Sequence, residues 1–200
     1  MIKTTAMLHD ELQRYANPAA KICRMMDSGQ LTPLIKGLYE TDASVPGHYL
    51  AGVLYGPSYL SFEFALAWHG LIPEAVYGYT SATCGKGRKK RYDTVFGTFL
   101  YRDVPVVVFP YSIQLHLENG YSFTIASPEK AICDQLYTIS PCDNRAALKH
   151  CLYEDLRIEP AAFAALDMDT LTELAGLYST KNHKLLISLA KEAARHEQHH

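Results

Sequence analysis

The chain has 200 residues, 48% of them hydrophobic, and a formal net charge of −2. That length and apolar content bound it to one good-sized domain, or a small module joined to a medium one, and exclude a disordered chain. Uncharged apolar stretches such as VPVVVFPYSI from Val104 fall well short of the roughly 20 residues of a membrane span. MIKTTAMLHDELQ lacks the apolar run of a secretory signal, so the chain is expected to be cytoplasmic.

In chain order, Thr4 or Thr5 caps a first helix whose apolar positions Met7, Leu8, Leu12 and Tyr15 recur at helical spacing. ANPAAKICRMMDSG supplies a second helix. Asn17 is its N-cap, Pro18 takes the first helical position, where a missing N–H costs nothing, and Gly29 follows its end. Ala19, Ile22, Cys23 and Met26 form its apolar face, while Ala20, Lys21 and Arg24 face solvent. QLTPLIKGLYET then reads as a two-stranded wing turning at Lys36 and Gly37. These elements form a unit over 1–44. DASVPGHY, poor in charge and rich in turn formers, is the expected boundary to a second domain over 45–200.

The second domain opens with a helix in GPSYLSFEFALAWHG, started by Pro57 and Ser58, closed by Gly70, and burying Leu60, Phe64, Ala67 and Trp68. His69 is placed against the C-terminal end of its dipole. From Glu74 the pattern changes to period two, with strands expected in AVYGYTSAT, YDTVFGTFLYRDV, VPVVVFPY and SIQLHLENGYSFTIAS, the last turning at ENG. Ser127 caps the next helix, with Pro128 and Glu129 in its first turn. The remainder is helical by periodicity, and Asp167 to Asp169 read as a cap for a helix beginning at Thr170. The fold class is therefore α+β, with a largely antiparallel sheet and a helical C-terminal part.

Two basic features carry the functional reading. Asn17, Lys21 and Arg24 lie on or beside the exposed face of the second helix, where a recognition helix meets base edges, and Lys36 sits at the wing turn, where a cation reaches phosphate. CGKGRKKRY then places Lys86, Arg88, Lys89, Lys90 and Arg91 together in a loop between strands, with Tyr92 available to stack on a base or sugar. Charge is unevenly spread. Residues 1–91 hold 10 Lys/Arg against 7 Asp/Glu, whereas 92–200 hold 9 against 14, an asymmetry that points to a polyanion partner.

Enzyme chemistry finds little support. HExxH, GxSxG, Walker and dinucleotide spacings are all absent. His69, Glu63 and Asp134 are the candidates for a nucleic-acid or nucleotide-processing site, at no recognisable catalytic spacing, and His116 reads as a solvent-facing strand residue. The five cysteines are scattered without a CxxC and read as reduced thiols. Cys133, Cys142 and Cys151 recur every nine residues, but across the SPCDN break. The terminal HEQHH is a weak metal binder or part of an expression tag, so no cofactor or metal is expected. A further alternative is a protein-interaction module whose acidic second half holds a basic partner directly.

Three segments, LTPLIKGLYE, LYGPSYLSFEFALAWHGLIPEAVYGYTSAT and FTIASPEKAICDQLY, resemble in order and spacing the hallmark segments of AbiEi family antitoxins. These are regulators of type IV toxin–antitoxin systems. The resemblance implies an N-terminal winged helix-turn-helix that binds operator DNA and represses its own operon, with Lys21, Arg24 and Lys36 at DNA-contact positions. It also implies a C-terminal domain that counteracts a nucleotidyltransferase-like toxin without a stable complex. The segment before Asn17 is short for the leading helix of such a module, which is therefore expected in reduced form.

Overall fold

In the computed structural model, which describes residues 1–197 with side chains to residue 193, the chain opens on a strand the sequence pattern does not announce. β1 (Ile2–Thr4) precedes α1 (Thr5–Glu11), α2 (Pro18–Asp27), β2 (Thr32–Ile35) and β3 (Leu38–Glu40). β1 and β2 both pair antiparallel with β3, so the expected two-stranded wing is a three-stranded sheet in the order β1-β3-β2. The local signals operate as read: Thr4 accepts from the Met7 N–H at 3.2 Å, Asn17 from the Ala20 N–H at 3.0 Å, and Gly37 takes φ +85° in the β2–β3 turn. Leu8, Leu12, Ile22 and Leu31 form a small core. Ala19 and Cys23 are exposed rather than buried, because α1 is the element packed on α2 and covers only the Ile22 stripe, with Met25 and Met26 half-buried. Leu34 and Leu38 belong to the larger core that runs through the rest of the molecule.

A helical turn at Gly47–Tyr49 and α3 (Ala51–Leu54) lead into β4 (Tyr59–Leu60) and α4 (Phe62–Trp68). The expected helix thus starts later than Ser58. Tyr59 and Leu60 are drawn into the sheet between β5 and β9, and the phase set from Phe62 buries Phe62, Ala65 and Leu66 while Trp68 stays 42% exposed.

The strands β5 (Gly78–Thr83), β6 (Lys90–Thr94), β7 (Gly97–Asp103), β8 (Ile113–Glu118) and β9 (Tyr121–Ala126) complete a six-stranded sheet in the order β6-β7-β5-β4-β9-β8. It is mixed rather than largely antiparallel: β5 runs parallel with β7 across the intervening β6, and β4 runs parallel with β9, which lies far from it in sequence. YDTVFGTFLYRDV is two strands, β6 and β7, folded at Val95 and Phe96. VPVVVFPY forms none. Pro105 and Pro110 cannot donate to a ladder, and the chain makes successive turns through Val108 N–H to Pro105 O (3.1 Å) and Tyr111 N–H to Val108 O (3.3 Å). Val104 and Val108 are buried while Val106 and Val107 are exposed.

α5 (Pro128–Tyr137), capped by Ser127 through the Lys130 N–H at 3.2 Å, packs on α4, α8, α9 and β9 and is buried from Glu129 to Leu136. After it come α6 (Arg145–His150), a π-helical turn at Cys151–Asp155, α7 (Pro160–Ala164), α8 (Met168–Tyr178) and α9 (Lys181–Glu197). Asp167 caps α8 by accepting from the Asp169 and Thr170 N–H groups, both at 3.0 Å, so that helix begins at Met168. No helix among the described residues is long and apolar enough to cross a membrane. All five cysteines are thiols. The HEQHH end falls outside the described side chains.

Candidate nucleic-acid interface

On α2, the Asn17 side-chain oxygen is spent on its own helix, leaving the amide nitrogen outward. Lys21 Nζ lies 5.5 Å from the centre of the Tyr15 ring, and the Arg14 guanidinium lies 5.4 Å from the same ring. Arg24 is exposed and donates from Nε to the Ala20 carbonyl at 3.3 Å, leaving its terminal nitrogens outward. Lys36 is exposed at the tip of the β2–β3 turn, beside Gly37, whose carbonyl accepts from Thr5 N–H at the start of α1. None of these four side chains meets a carboxylate.

The basic run divides into an anchored part and an open tip. Asp103, at the end of β7, accepts from the backbone N–H groups of Lys86 (2.7 Å) and Gly87 (2.6 Å) and from the Thr83 hydroxyl (2.5 Å). Lys86 Nζ is turned inward to the Gly56 carbonyl at 3.1 Å and lies 5.2 Å from the Tyr55 ring centre. Gly85 and Gly87 take φ +65° and +67°, so the loop's course requires residues that tolerate the left-handed region. Lys90 and Arg91 belong to β6 and not to the loop, a correction to the sequence reading. Lys90 lies 4.9 Å from the Tyr92 ring centre, and Arg91 is held by Asp93 through Nε and Nη2, each at 2.8 Å. Arg88 and Lys89 remain: exposed, in no ion pair with a carboxylate, beside a depression also lined by Gly87, Arg102, Asp103, Tyr137 and Thr138.

Topology relates the loop to the N-terminal unit. β5 is antiparallel to β4 and β4 parallel to β9, so the C-terminal end of β5, where the loop begins, and the N-terminal end of β9 share one end of the sheet. The N-terminal unit docks at that end of β9. The Tyr121 hydroxyl donates to Glu40 at 2.9 Å, and the Met1 amine bonds Glu40, Thr41 and Tyr121. Burial would raise the Glu40 carboxyl, but bonds from the Met1 amine, the Asp42 N–H and Tyr121 hold it below its ordinary value. Basic loop and N-terminal unit thus project from the same end, toward opposite edges, on the order of 15–20 Å apart at roughly 4.8 Å per strand.

The two halves of the chain treat their cations differently. Besides the Met1 amine with Glu40, the only Lys or Arg side chains of residues 1–91 that pair with a carboxylate are Lys3 (with Glu11) and Arg91 (with Asp93). Beyond residue 91, Arg102, Lys130, Arg145, Lys149, Arg157 and Lys181 are all paired, and among the described side chains only Lys184 and Lys191 are not.

The residues singled out for enzyme chemistry do not converge. Glu63 is locked bidentately to Arg102 (3.0 and 2.9 Å) and accepts from Gln135 at 3.3 Å. His69 is the C-cap of α4, and its Nε2 bonds the Ala126 carbonyl at 2.8 Å, tying α4 to β9. His116 is half-buried and stacked on Phe123 with centroids 5.0 Å apart, so it faces an aromatic cluster and not solvent. Asp134 lies in a network the sequence does not reveal. It accepts from Tyr178 (2.5 Å), Ser61 (2.6 Å), Tyr59 (3.0 Å) and Lys130 (3.1 Å), and both Asp134 and Lys130 are fully buried. Burial, with the Asp134 charge second, pushes the Tyr59 and Tyr178 hydroxyls far above the ordinary phenol range, so they stay protonated as donors. This network joins β4, α5 and α8. Among the described residues no group of three or more His, Cys, Asp or Glu side chains is placed to hold a metal ion.

No family model and no curated protein matches the chain. Its fold is similar to the crystal structure of the RV2827C protein from Mycobacterium tuberculosis, with a TM-score of 0.60 and 15% identity over 98% of this chain and 74% of that one.

Proposed function

We propose that this protein is a DNA-binding transcriptional repressor and the antitoxin of a type IV toxin–antitoxin operon, counteracting a nucleotidyltransferase-like toxin without forming a stable complex with it. The observation that carries the DNA-binding part is the run of uncompensated cations in the first half: Arg14, Lys21, Arg24, Lys36, Arg88 and Lys89 have no carboxylate partner in a protein of net charge −2. Holding such charges together stabilises nothing in the free protein, and each phosphate they neutralise releases counterions. In this reading residues 1–44 are a reduced winged helix-turn-helix. Its helix α2 enters the major groove with Asn17, Lys21 and Arg24, the β2–β3 turn carries Lys36 to the backbone, and Arg88 and Lys89 of the 86–91 run hold phosphates farther along. The antitoxin part rests on the resemblance of the segments around α4 and α5.

Binding to the DNA immediately upstream of the protein's own gene, against scrambled DNA of equal length across a salt series, tests this. Selective binding that weakens linearly with log salt, and that Lys21→Ala with Arg24→Ala reduces by at least about tenfold, is the expected result. Equal, weak binding to both DNAs that vanishes at moderate salt would reduce the cations to a nonspecific patch.

A further inference from the structure

The six-stranded sheet ends at β8, and the outer edge of that strand is open. Asn119 and Gly120, at φ +51° and +78°, form the two-residue turn to β9, and such a hairpin closes on a hydrogen-bonded pair, here Glu118 and Tyr121. Alternation along the ladder then points the N–H and C=O groups of Gln114, His116 and Glu118 toward β9 and those of Ile113, Leu115 and Leu117 outward. No other backbone hydrogen bond among the described residues uses those outward groups. Leu115 and Leu117 are 64% and 76% exposed, and no lysine, proline or bulge guards the strand, the usual means of keeping an edge from pairing.

We propose that β8 pairs antiparallel with β8 of a second copy of this chain, about a twofold axis through Leu115, joining the two sheets into one. The outward groups of Ile113, Leu115 and Leu117 exchange both hydrogen bonds only with the outward groups of an incoming strand, which in a second copy are the same three residues. In the register centred on Leu115, that residue meets its own counterpart and Ile113 meets Leu117 on either side, giving three apolar cross-strand pairs on one face. Centring on Leu117 instead would set Leu115 against Asn119. Charge agrees with the choice. The strand's one charged residue, Glu118, falls opposite Ser112 of the other copy, and the two Glu118 carboxylates end up on the order of 20 Å apart. An edge of this length buries less than the roughly 800 Å² per partner of a standard interface, so the dimer is expected to form at micromolar concentrations.

Sedimentation velocity without DNA, over about 1 to 100 μM, tests the proposal, and its outcome is independent of whether the protein binds an operator. The wild type is expected to pass from monomer to dimer across that range. Leu115→Lys, which sets two ammonium groups face to face at the axis, is expected to weaken dimerisation at least about tenfold while its thermal melt shows it folded. Under mild oxidation Leu115→Cys is expected to give a disulfide-linked dimer, because residues in a hydrogen-bonded pair have Cα atoms about 5.5 Å apart, within disulfide reach. Leu117→Cys, opposite Ile113, is expected to give none. A wild type that stays monomeric throughout, a Leu115→Lys dimer of unchanged affinity, or equal cross-linking by both cysteine variants would overturn it.

Discussion

The centre at Lys130 and Asp134 and the loop tip at Arg88 and Lys89 handle charge on opposite terms. Inside, one ammonium and one carboxylate are fully buried, 3.1 Å apart, with two tyrosine hydroxyls and a serine completing the carboxylate's partners. At the tip, two adjacent cations are exposed and in no ion pair, on a loop that Asp103 fixes from below through backbone N–H groups. Burying an ion without partners costs several kcal/mol, so the interior pair exists only as a completed set. Leaving cations unpaired in water costs almost nothing, so the tip is available to an anion. Charge that is satisfied within the chain serves the fold, and charge left unsatisfied is the place to look for a partner.

The sharpest way to break the comparison is to remove one member of the interior set. Asp134→Ala leaves the Lys130 ammonium buried among Tyr59, Tyr178 and apolar side chains, and is expected to lose about 3–5 kcal/mol of stability in urea unfolding. Replacing both ions together, Lys130→Met with Asp134→Leu, is expected to cost less than the single change, because no uncompensated charge remains. A single variant as stable as the wild type would mean the pair is not the anchor of β4, α5 and α8.

A neighbouring group extends the test to pH. His183 is fully buried, with Nε2 2.9 Å from the Cys133 carbonyl oxygen and Nδ1 2.6 Å from the Thr180 hydroxyl. Burial pulls its pKa down from 6.5 to about 4, despite the Cys133 carbonyl, with the Lys130 charge adding to the fall. In the unfolded chain this imidazole takes its proton near pH 6.5, but in the folded protein not until near pH 4. The unfolded state therefore binds more protons across that window, and stability is lost as pH falls through it, by roughly 3 kcal/mol in total. His48, also lowered first by burial, acts in the same direction. Unfolding free energies at pH 7.5 and 4.5 should show the loss for the wild type and a smaller one for His183→Gln. Equal losses in both proteins would remove His183 from the account.

How much of this was legible follows the sequence distance of the interactions. Asn17 before Pro18, Ser127 before Pro128, Asp167 before α8, and the Asn119–Gly120 turn are contacts within a few residues, and each does in the fold what its local pattern announces. The interior set was not readable, because Tyr59 and Asp134 are 75 positions apart and Tyr178 and Asp134 are 44 apart. β4 is not legible for the same reason: two residues gain strand geometry only from β5 and β9 on either side. In the valine run period and β-branching favour a strand, while Pro105 and Pro110 rule out the ladder. At the candidate interface the positions of the cations were plain, but their pairing was not. Nothing in CGKGRKKRY says that Lys86 turns inward to Gly56 or that Arg91 is taken by Asp93.

That pairing yields the finest test, since it separates cations that are neighbours in sequence. Arg88 and Lys89 carry full, unshared charges, whereas Arg91 and Asp93 form an exposed pair that presents little net charge to a phosphate. If the run holds DNA, Arg88→Ala with Lys89→Ala should lower the slope of log K against log salt by about 1.8, the value for two phosphate contacts, with stability changed by less than about 0.5 kcal/mol. Arg91→Ala should change the slope by well under one contact, and Arg91→Ala with Asp93→Ala together by almost nothing. The four proteins, measured on one operator fragment at matched salt, distinguish charge that is merely present from charge that is available. A slope change for Arg91→Ala as large as half that of Arg88→Ala with Lys89→Ala would show that the Asp93 pair opens when DNA arrives, and that the loop and its edge strand act as one basic surface.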